Sequence, residues 1–565
     1  GFVRVCQGLS GFVAIGCPDD VRLANVIFCW RRDKCAGNLA TQLLAALAAN
    51  NKSYYDSYEM RVNIVKVKSI NLMCMLVVVV LGLSLQACDQ QASKSTNVED
   101  QSTHTLASSK KLDDYSVSQY YENGYLKEES VEKLRKQQYF AKALTAYEFS
   151  LPIAAVQKWH RGFLAEAEYG DWLFYDNHAQ KVPILTANQS TPYTLTYVDL
   201  TKSAYYIEIP AGRIGGLVLD IYQRPQADLG ILGADEGRGG KYLLVGPTQT
   251  VPEGHDAEWV IKSNCNLVFL GTRIIGYNAA ETAKLRRQHF VYPVDGAKDK
   301  QKYIAASQTP QWVGSQALGL QYWQDVYDVL KNEPVEDVNR LILTLVRDLG
   351  IQKSTGFIPN DEQKDILTAA AVQGEAVAMV NTFSKRSYKA RHWPDRHWLY
   401  VLNQTRLDLK HADYYEAKEI ASYTYEAFST SKGMVLPTRN QGSKYLGVYI
   451  DQNEEWLDGT NLYEFIIPAN APAKDFWSIA IYNNKFRNLI DNKQGQAVVS
   501  SRSDLKVEQD GSVKVYVGPT APEGYESNWV QSNVGEGFFA YLRLYGPTEA
   551  YYDKSWKMPD VRKVE

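Results

Sequence analysis

Cysteine is scarce in most of this chain. Of the seven cysteines, only Cys88 and Cys265 lie at or beyond residue 88. The four cysteines before residue 60 have spacings that fit neither a zinc site nor a thioredoxin motif. If Cys88 is acylated, Cys265 has no partner, so an internal disulfide is excluded from this part of the chain. We therefore expect its stability to come from packed cores.

The chain also lacks an excess of charge of either sign. Its 61 Lys and Arg residues nearly balance its 64 Asp and Glu residues, which gives a formal net charge of −3. A nucleic-acid-binding protein usually carries a basic excess, and none is present here. We therefore expect no nucleic-acid partner.

Signature motifs of the common enzyme classes are missing as well. The sequence contains no Gly-x-Ser-x-Gly elbow, no His-Glu-x-x-His, no Gly-x-x-x-x-Gly-Lys phosphate loop and no Gly-x-Gly-x-x-Gly. His392 and His397 are five residues apart, a spacing that places them on different faces of a helix, and Pro394 between them interrupts any helix. No third ligand has metal-site spacing. We therefore predict no metal and no cofactor, and we expect the Arg-His-Trp pair around Pro394 to form a stacked aromatic lid.

What the chain does contain is a long motif that occurs twice. The motif in residues 246–273 recurs in residues 518–543, and a constant offset of 270 positions relates Trp259 to Trp529 and Arg273 to Arg543. Such self-similarity indicates a duplicated structural module. Residues between Pro183 and position 278 alternate in the manner of strands, and the same pattern returns after position 445.

These patterns predict an α+β multidomain protein. It has two jelly-roll-like antiparallel β-sandwiches that arise by internal duplication, an N-terminal helical segment and a helical insert between the sandwiches. In the N-terminal segment, Ser150 and Pro152 stand where an N-cap and a first-turn proline would open a second helix. The predicted units are 115–182 (N-terminal helices), 183–278 (first sandwich), 279–435 (helical insert) and 436–565 (second sandwich).

The N-terminal part has the features of an export signal. Residues 1–59 show little periodicity, and we interpret them as extraneous or disordered. Residues 60–87 combine a basic start with a short apolar run, and the ending Leu-Gln-Ala-Cys resembles a bacterial lipobox with Cys88 as its lipidated residue. The alternative is an uncleaved membrane anchor. Residues 88–114 are polar and predict a flexible tether. We thus expect a lipid-anchored protein that faces the periplasm.

Several polar residues are candidates for a binding site. Asn188, Thr191 and Tyr193 lie between the helical start and the first strand, where loops often carry function, although an Asx-type turn is the equally open alternative. Arg273 and Arg543 occupy equivalent strands, where a guanidinium fork could clamp a carboxylate or form a salt bridge. Tyr222 is a further candidate for contact with a ligand.

A glycine-rich loop precedes the strand that starts near Lys241. Residues 230–240 contain five glycines with Asp235 and Glu236, which could cradle calcium through carboxylate and backbone oxygens. A calcium loop needs more oxygen ligands at fixed spacing than these two acids supply. We therefore favour a mobile hairpin loop.

The stretches 188–193, 197–200 and 243–247 resemble the bacterial domain of unknown function 1254. The stretches 449–451, 476–478 and 542–547 resemble its usual partner, domain of unknown function 1214. The resemblance implies two jelly-roll-like sandwiches with helical segments, in a family labelled only as cell-envelope proteins, and it brings no reaction. One departure is Ser190, which stands where the family usually has Asp.

We interpret the protein as a binding protein of the cell envelope whose aromatic pocket suits a glycan, a lipid or an aromatic small molecule. A hydrolase acting on an ester, amide or glycan is the rival hypothesis, with Asp220, Arg273, His392 and His397 as candidate catalytic residues. A homo-oligomeric envelope scaffold is the third hypothesis. A carboxylate pair with raised pKa in a cleft would favour the enzyme, and a dry aromatic pocket would favour binding.

Overall fold

The computed structural model describes residues 11–14, 25–28, 117–176, 183–188, 191–307, 312–385 and 388–564. The chain divides into two units, Gly1–Ser116 and Val117–Glu565. In the first unit, strands β1 (Gly11–Ala14) and β2 (Asn25–Phe28) pair antiparallel. The predicted signal sequence, Cys88 and the predicted tether lie outside the described residues.

The second unit is a mixed α+β structure. Its described residues form eight α-helices: α1 (Glu128–Leu164), α2 (Ala279–Arg286), α3 (Leu320–Leu330), α4 (Asp337–Val346), α5 (Asp361–Phe383), α6 (Ala417–Glu426), α7 (Lys432–Val435) and α8 (Glu549–Tyr552). Two short hairpins stand apart from the large sheets: β3 (Tyr121–Glu122) with β4 (Tyr125–Leu126), and β15 (Ile351–Gln352) with β16 (Gly356–Phe357).

The N-terminal helical segment differs from its prediction. Helix α1 is one continuous helix of 37 residues, and Pro152 lies inside it rather than at the start of a second helix. A proline in a helix interior removes a backbone hydrogen bond and costs about 3 kcal/mol. Leu151, Pro152 and Ile153 are all buried, and α1 packs against α3, α4, α5 and α6. The burial of this stretch outweighs the local cost.

The first β module contains two sheets. The larger one has the strand order β14-β5-β6-β12-β8-β9, and the smaller one has the order β11-β10-β7-β13. The strands are β5 (Trp172–Tyr175), β6 (Tyr193–Asp199), β7 (Tyr205–Ile209), β8 (Ile214–Leu219), β9 (Pro225–Gly230), β10 (Gly240–Val245), β11 (Trp259–Lys262), β12 (Leu267–Ile274), β13 (Phe290–Pro293) and β14 (Tyr303–Ala305).

The second β module also contains two sheets. Their strand orders are β17-β18-β24-β20-β21 and β23-β22-β19-β25. The strands are β17 (Leu399–Tyr400), β18 (Ser443–Val448), β19 (Leu462–Ile467), β20 (Ala473–Asn483), β21 (Val498–Ser500), β22 (Val513–Gly518), β23 (Trp529–Gln531), β24 (Phe538–Pro547) and β25 (Arg562–Val564).

The repeated motif occupies corresponding places in the two modules. In each smaller sheet it joins two strands that pair in parallel, with Tyr242 opposite Trp259 in the first module and Tyr516 opposite Trp529 in the second. The prediction of wholly antiparallel sheets is therefore wrong. The motif is a crossover connection between parallel neighbours rather than a simple hairpin turn.

The boundaries of the first β module extend beyond the predicted 183–278. Strand β5 precedes position 183, and β13 and β14 fall in the segment predicted as helical insert. The insert itself is mainly helical, and β17 at its end joins the second module. Short two- to four-residue strands carry little periodic signal, so their assignment to a sheet depends on distant partners.

Helix α5 is long and apolar enough to cross a membrane by length and composition alone. In this structure it packs against α1, α3 and α6. Asn360 is its N-cap: the Asn360 side chain accepts a hydrogen bond from the backbone N–H of Gln363, and the Gln363 side chain accepts one from the backbone N–H of Asn360. This reciprocal pair is a capping box, which satisfies two backbone donors at the helix start.

Candidate functional site

A cavity of about 480 Å³ lies between the two β modules. It is larger than the two other described cavities, of about 300 and 220 Å³, and its size is typical of a small-molecule site. Its walls are partly apolar, with Trp159, Leu185, Leu195, Phe269, Phe428 and Met434 among them. Its polar residues include Thr191, Tyr193, Arg273, Ser443, Tyr445 and Arg543.

The polar part of the cavity repeats one arrangement from each module. On β12, Arg273 lies opposite Tyr193 of β6, and its guanidinium carbon is 5.0 Å from the centre of the Tyr193 ring. On β24, Arg543 lies opposite Tyr445 of β18 at a corresponding 4.8 Å. Residues directly opposite each other in a sheet share a face. Each of the two modules therefore contributes one arginine–tyrosine pair to the same cavity.

The two arginines are held differently. Arg543 donates to the backbone carbonyl of Thr186, and its Nε and Nη2 atoms lie 3.0 and 2.8 Å from the Tyr482 hydroxyl. The Tyr482 hydroxyl in turn donates to the carbonyl of Ala187 at 2.9 Å. Arg543 thus ties the loop before β6 to the second module through its Nε and Nη2 atoms, while it also lines the cavity.

Among the described contacts, Arg273 has no hydrogen bond to a backbone carbonyl like that of Arg543, and its polar partner is the Tyr445 phenol. Beside the Tyr193 ring, its neighbours are the phenols of Tyr445 and Tyr545, and it keeps part of its surface free within the cavity. Neither Arg273 nor Arg543 forms a salt bridge with any carboxylate in the described part of the chain. The cavity wall therefore carries two guanidinium groups whose charge no described acid balances.

The positive charge of the two arginines lowers the pKa of Tyr445. Burial opposes ionisation of its phenol, but the guanidinium groups of Arg273 and Arg543, together with hydrogen bonds from Ser443 and Arg273, hold the pKa of Tyr445 below its usual value. For Tyr545, burial dominates and raises the pKa. Tyr445 is therefore the phenol on this wall whose ionised form the site favours.

Asn188, Thr191 and Tyr193 form one small hydrogen-bonded unit. The Asn188 side chain donates to the Tyr193 hydroxyl at 2.7 Å, and its Oδ1 accepts from the Thr191 backbone N–H at 2.9 Å. Thr191 and Tyr193 line the cavity. Asn188 forms the Asx-type turn considered above and acts as a positioning residue for its two neighbours.

Aromatic rings form the apolar wall. Trp159 of α1 stacks on Phe428 with ring centres 4.0 Å apart, and Phe269 of β12 meets Phe428 edge to face at 5.2 Å. Such packing is rigid and contributes about 0.5–1.5 kcal/mol per aromatic pair beyond burial. This wall gives the cavity a preformed surface for an apolar body.

Glycines on β8 and β12 leave room beside Arg273. Gly215 lies opposite Arg273, and Gly271 precedes it by two residues, so all three share one face of the sheet. A Cβ atom at Gly215 would find only the Ile275 side chain within 4 Å, at 3.7 Å. The space over this part of the sheet exists because side chains are absent.

Two carboxyl groups, those of Asp228 and Asp475, also line the cavity, and that of Asp228 is the buried one. Burial raises its pKa to about 6, against the opposing effect of a hydrogen bond from the Lys432 backbone. Asp228 lies on β9, two strands away from Arg273. At the exposed edge of the cavity, Arg213 and Asp475 form a salt bridge of 3.4 Å between the two modules.

Two predicted site residues lie elsewhere, in a buried network. Asp220 accepts a hydrogen bond from Arg224 Nε at 2.5 Å and two more from backbone N–H groups, and Arg224 also pairs with Glu336. Tyr222 donates to Asn339 of α4. These contacts join the first β module to the helical insert, and neither residue lines the cavity between the modules.

The two histidines also lie away from this cavity. His392 is buried, stacks on Tyr551 with ring centres 4.6 Å apart and lines the 300 Å³ cavity, and burial lowers its pKa to about 3. His397 contacts the Asp451 carbonyl through Nδ1 at 3.0 Å. The Arg-His-Trp pair packs into the second module rather than covering the main cavity.

In the glycine-rich loop, the Asp235 side chain is bound by groups at the two ends of the same loop. The Oδ1 atom of Asp235 accepts hydrogen bonds from the Gly230 N–H at 2.7 Å and the Tyr242 hydroxyl at 2.5 Å. Glu236 pairs with Arg238 at the surface. No group of three His, Cys, Asp or Glu residues in the described ranges is arranged to hold a metal ion.

The sequence-based search missed Tyr445 and Ser443. The signal that could have found them is the repeat itself: in each module, a strand that carries a tyrosine pairs with the arginine-bearing strand. The loop insertions between these strands differ in length, so the two tyrosines are not related by the offset that relates the arginines.

Residues 175–293 match the family model described as Protein of unknown function (DUF1254), and residues 442–549 match the one described as Protein of unknown function (DUF1214). The N-terminal DUF1254 and C-terminal DUF1214 resemblance drawn from the sequence is therefore confirmed for these two segments. Tyr193 and Arg273 belong to the DUF1254 domain and Tyr445 and Arg543 to the DUF1214 domain, so the cavity lies where the two domains meet.

Comparison with solved structures gave two broad likenesses. The VPA0106 protein from Vibrio parahaemolyticus is 17% identical, with a TM-score of 0.46 over 76% of this chain and 100% of that one. An uncharacterized protein from Burkholderia cenocepacia is 13% identical, with a TM-score of 0.36 over 76% of this chain and 98% of that one. A search of curated proteins found no match.

Proposed function

We propose that this protein binds a small organic anion with an apolar body in the cavity between its DUF1254 and DUF1214 domains. The observation that carries the proposal is the pair of arginines, Arg273 and Arg543, on the cavity wall without a salt-bridged carboxylate among the described residues. A carboxylate is the ligand group that best fits two planar guanidinium forks.

The energetics of the cavity support an anionic ligand. Burial and the Arg543 guanidinium disfavour the positive charge of Arg273, but the phenols of Tyr193, Tyr445 and Tyr545 outweigh both effects and raise the pKa of Arg273. Buried charge without a full counter-ion is unfavourable. An incoming carboxylate relieves that cost and forms charge-assisted hydrogen bonds, each worth about 1.5–3 kcal/mol.

The aromatic wall supports an apolar body for the same ligand. Trp159, Phe269 and Phe428 face the space that the arginine end leaves free. A fatty or aryl carboxylate of modest size therefore suits the cavity better than a glycan, whose many hydroxyl groups would remain unpaired against these rings.

We infer that the two β modules are duplicated jelly-roll-like sandwiches. The supporting features are the matching strand orders β11-β10-β7-β13 and β23-β22-β19-β25, and the repeated motif between parallel strands in each. Duplication explains why the cavity has two equivalent arginine–tyrosine pairs.

We also propose that the protein works in the bacterial cell envelope, anchored through Cys88. This proposal rests on the sequence of residues 60–88, which has the order of a lipoprotein signal. Metabolic labelling with a palmitate analogue should label the wild-type protein and spare Cys88→Ala. Labelling of the Cys88→Ala variant to the same extent would contradict the anchor.

The binding proposal is tested on protein purified from its own host. Native mass spectrometry under gentle conditions should detect a bound small acid, and its mass identifies the ligand class. The Arg273→Met protein, prepared in parallel, should carry less of that acid. A neutral or cationic molecule retained equally by both proteins would contradict an anion site.

A further inference from the structure

A serine and a tyrosine hydroxyl meet on the wall of the main cavity. Ser443 and Tyr445 are two residues apart on β18, so their side chains lie on the same face, and the Ser443 Oγ and Tyr445 Oη atoms are hydrogen-bonded to each other. Both residues line the cavity beside Arg273 and Arg543. A nucleophile next to a base, with cationic donors close by, is the minimum arrangement for acyl transfer.

The surroundings of Tyr445 suit the role of a base. Burial raises the pKa of its phenol, but the two guanidinium groups and the Ser443 hydroxyl outweigh burial and lower the pKa below its usual value. The phenolate that this lowered pKa favours can accept the proton of a hydrogen-bonded serine. Histidine does not serve here, because His392 and His397 lie outside this cavity.

We propose that Ser443 is the nucleophile of an esterase site, with Tyr445 as general base and the guanidinium groups of Arg273 and Arg543 as oxyanion donors. The substrate class is a small ester of an apolar carboxylic acid. The inference rests on the proposed function, because the carboxylate released by hydrolysis is the anion that the arginine pair binds.

In the acylation step, Tyr445 Oη takes the proton of Ser443 as Oγ forms a bond to the ester carbonyl carbon. The carbonyl π electrons move to the oxygen, and guanidinium N–H groups donate to the resulting oxyanion. When the carbonyl re-forms, the bond to the alcohol oxygen breaks, and Tyr445 returns the proton to the departing alkoxide. The products of this step are an alcohol and acyl-Ser443.

In the deacylation step, water is the second reactant. Tyr445 takes a proton from a water molecule as its oxygen bonds to the acyl carbon, and the bond to Ser443 Oγ then breaks. Tyr445 returns the proton to Oγ. One ester and one water give one alcohol and one carboxylic acid, without oxidation or reduction, and the acid ionises beside Arg273.

The test uses the full wild-type protein with p-nitrophenyl butyrate and, separately, a fluorophosphonate probe. We expect a burst of about one nitrophenolate per protein followed by turnover, and a fluorophosphonate adduct that peptide mass spectrometry maps to Ser443. The acylation rate should rise with pH as Tyr445 ionises. Tyr445→Phe should slow acylation by about 100-fold or more and abolish that pH dependence.

A matched control comes from the same cavity. Ser431 also lines it and begins α7 without a side-chain capping hydrogen bond. Ser431→Ala should label like wild type, whereas Ser443→Ala should not label. Mapping on the wild-type protein keeps the test decisive even if a variant folds poorly: an adduct on another residue, or none, overturns the proposal.

A binding measurement without chemistry tests the anion site separately from the esterase activity. Calorimetry with octanoate on the wild-type protein measures the anion site without any chemistry. Octanoate binding without burst or adduct overturns the esterase proposal and leaves the anion site standing. If octanoate does not bind and no adduct forms, both proposals are overturned.

Discussion

Among single residues, the two arginines have different roles in the folded protein. Arg543 donates to the Thr186 carbonyl and to Tyr482, so Arg543→Met leaves a buried carbonyl without its partner. We expect a loss of about 1–3 kcal/mol in the free energy of unfolding. Arg273 has no such anchor, so Arg273→Met removes repulsion and should leave stability unchanged or raise it by about 1 kcal/mol.

Urea denaturation of the two variants beside the wild-type protein measures this difference. The two substitutions remove the same chemical group from equivalent strands, so each is the control for the other. Equal destabilisation by both would show that Arg273 is as structural as Arg543 and would weaken the case for a free anion site.

Tyr445 should make anion affinity depend on pH. Its pKa is lowered because the arginines favour the phenolate, and the phenolate competes with a bound anion for the same positive charge. Octanoate affinity should therefore be highest below the pKa of Tyr445 and fall as pH rises through it. Calorimetry across a series of pH values up to about 10, the usual pKa of a phenol, should show this fall for the wild-type protein and a flatter profile for Tyr445→Phe. Equal profiles would contradict the assignment.

At the level of elements, strand β8 keeps the cavity open through Gly215. A valine side chain at this position would fill space beside Arg273, where a Cβ atom on Gly215 would have only Ile275 within 4 Å, at 3.7 Å. We expect Gly215→Val to weaken octanoate binding at least 10-fold while the melting temperature changes little. Gly215→Ala, which adds one carbon, is the control and should retain binding. Unchanged affinity of Gly215→Val would place the ligand elsewhere.

Helix α6 ends on a buried acid that links stability to pH. Glu426 is fully buried, accepts a hydrogen bond from the Tyr449 hydroxyl at 2.6 Å and lies 4.0 Å from Lys385. Burial raises its pKa to about 7, although Lys385 and Tyr449 oppose the rise. The folded pKa thus exceeds the usual value of 4.5, so the stabilising contribution is complete below about 4.5 and is lost as pH rises through about 7.

Glu426→Gln cannot ionise and should lose less stability between about pH 5 and about pH 8 than the wild-type protein. Each unit of pKa difference corresponds to about 1.4 kcal/mol. Urea denaturation at the two pH values measures the change. Burial also raises the pKa of Glu333 to about 7. Glu333 is present in both proteins, so it contributes equally to the dependence of their stability on pH. Identical slopes for the two proteins would contradict this role of Glu426.

For the whole molecule, the sequence predicted features that depend on local pattern or on self-similarity. The strand-rich stretch between positions 183 and 278 and the arginine pair at positions 273 and 543 were found because alternation and repetition are visible along the chain. The mixed α+β class followed from the same patterns. The DUF1254 and DUF1214 resemblance rested on short motifs that the family models confirm.

Features that depend on distant contacts were not predictable in this way. Pro152 is compatible with a continuous helix only because four other helices pack around α1. The parallel pairing of Trp259 with Tyr242 needs the crossover path, which alternation does not encode. The pairing of Ser443 and Tyr445 with the arginines requires the register of β18 against β24.

The central claim is that the cavity between the two domains recognises negative charge through Arg273. Calorimetric titration of wild-type and Arg273→Met proteins with octanoate and with octanol, a neutral analogue of equal chain length, tests it most directly. We predict that the wild-type protein binds octanoate about 10- to 100-fold more tightly than octanol, and that this preference disappears in Arg273→Met. Equal affinities of the wild-type protein for both probes, or a preference that survives Arg273→Met, would contradict the claim.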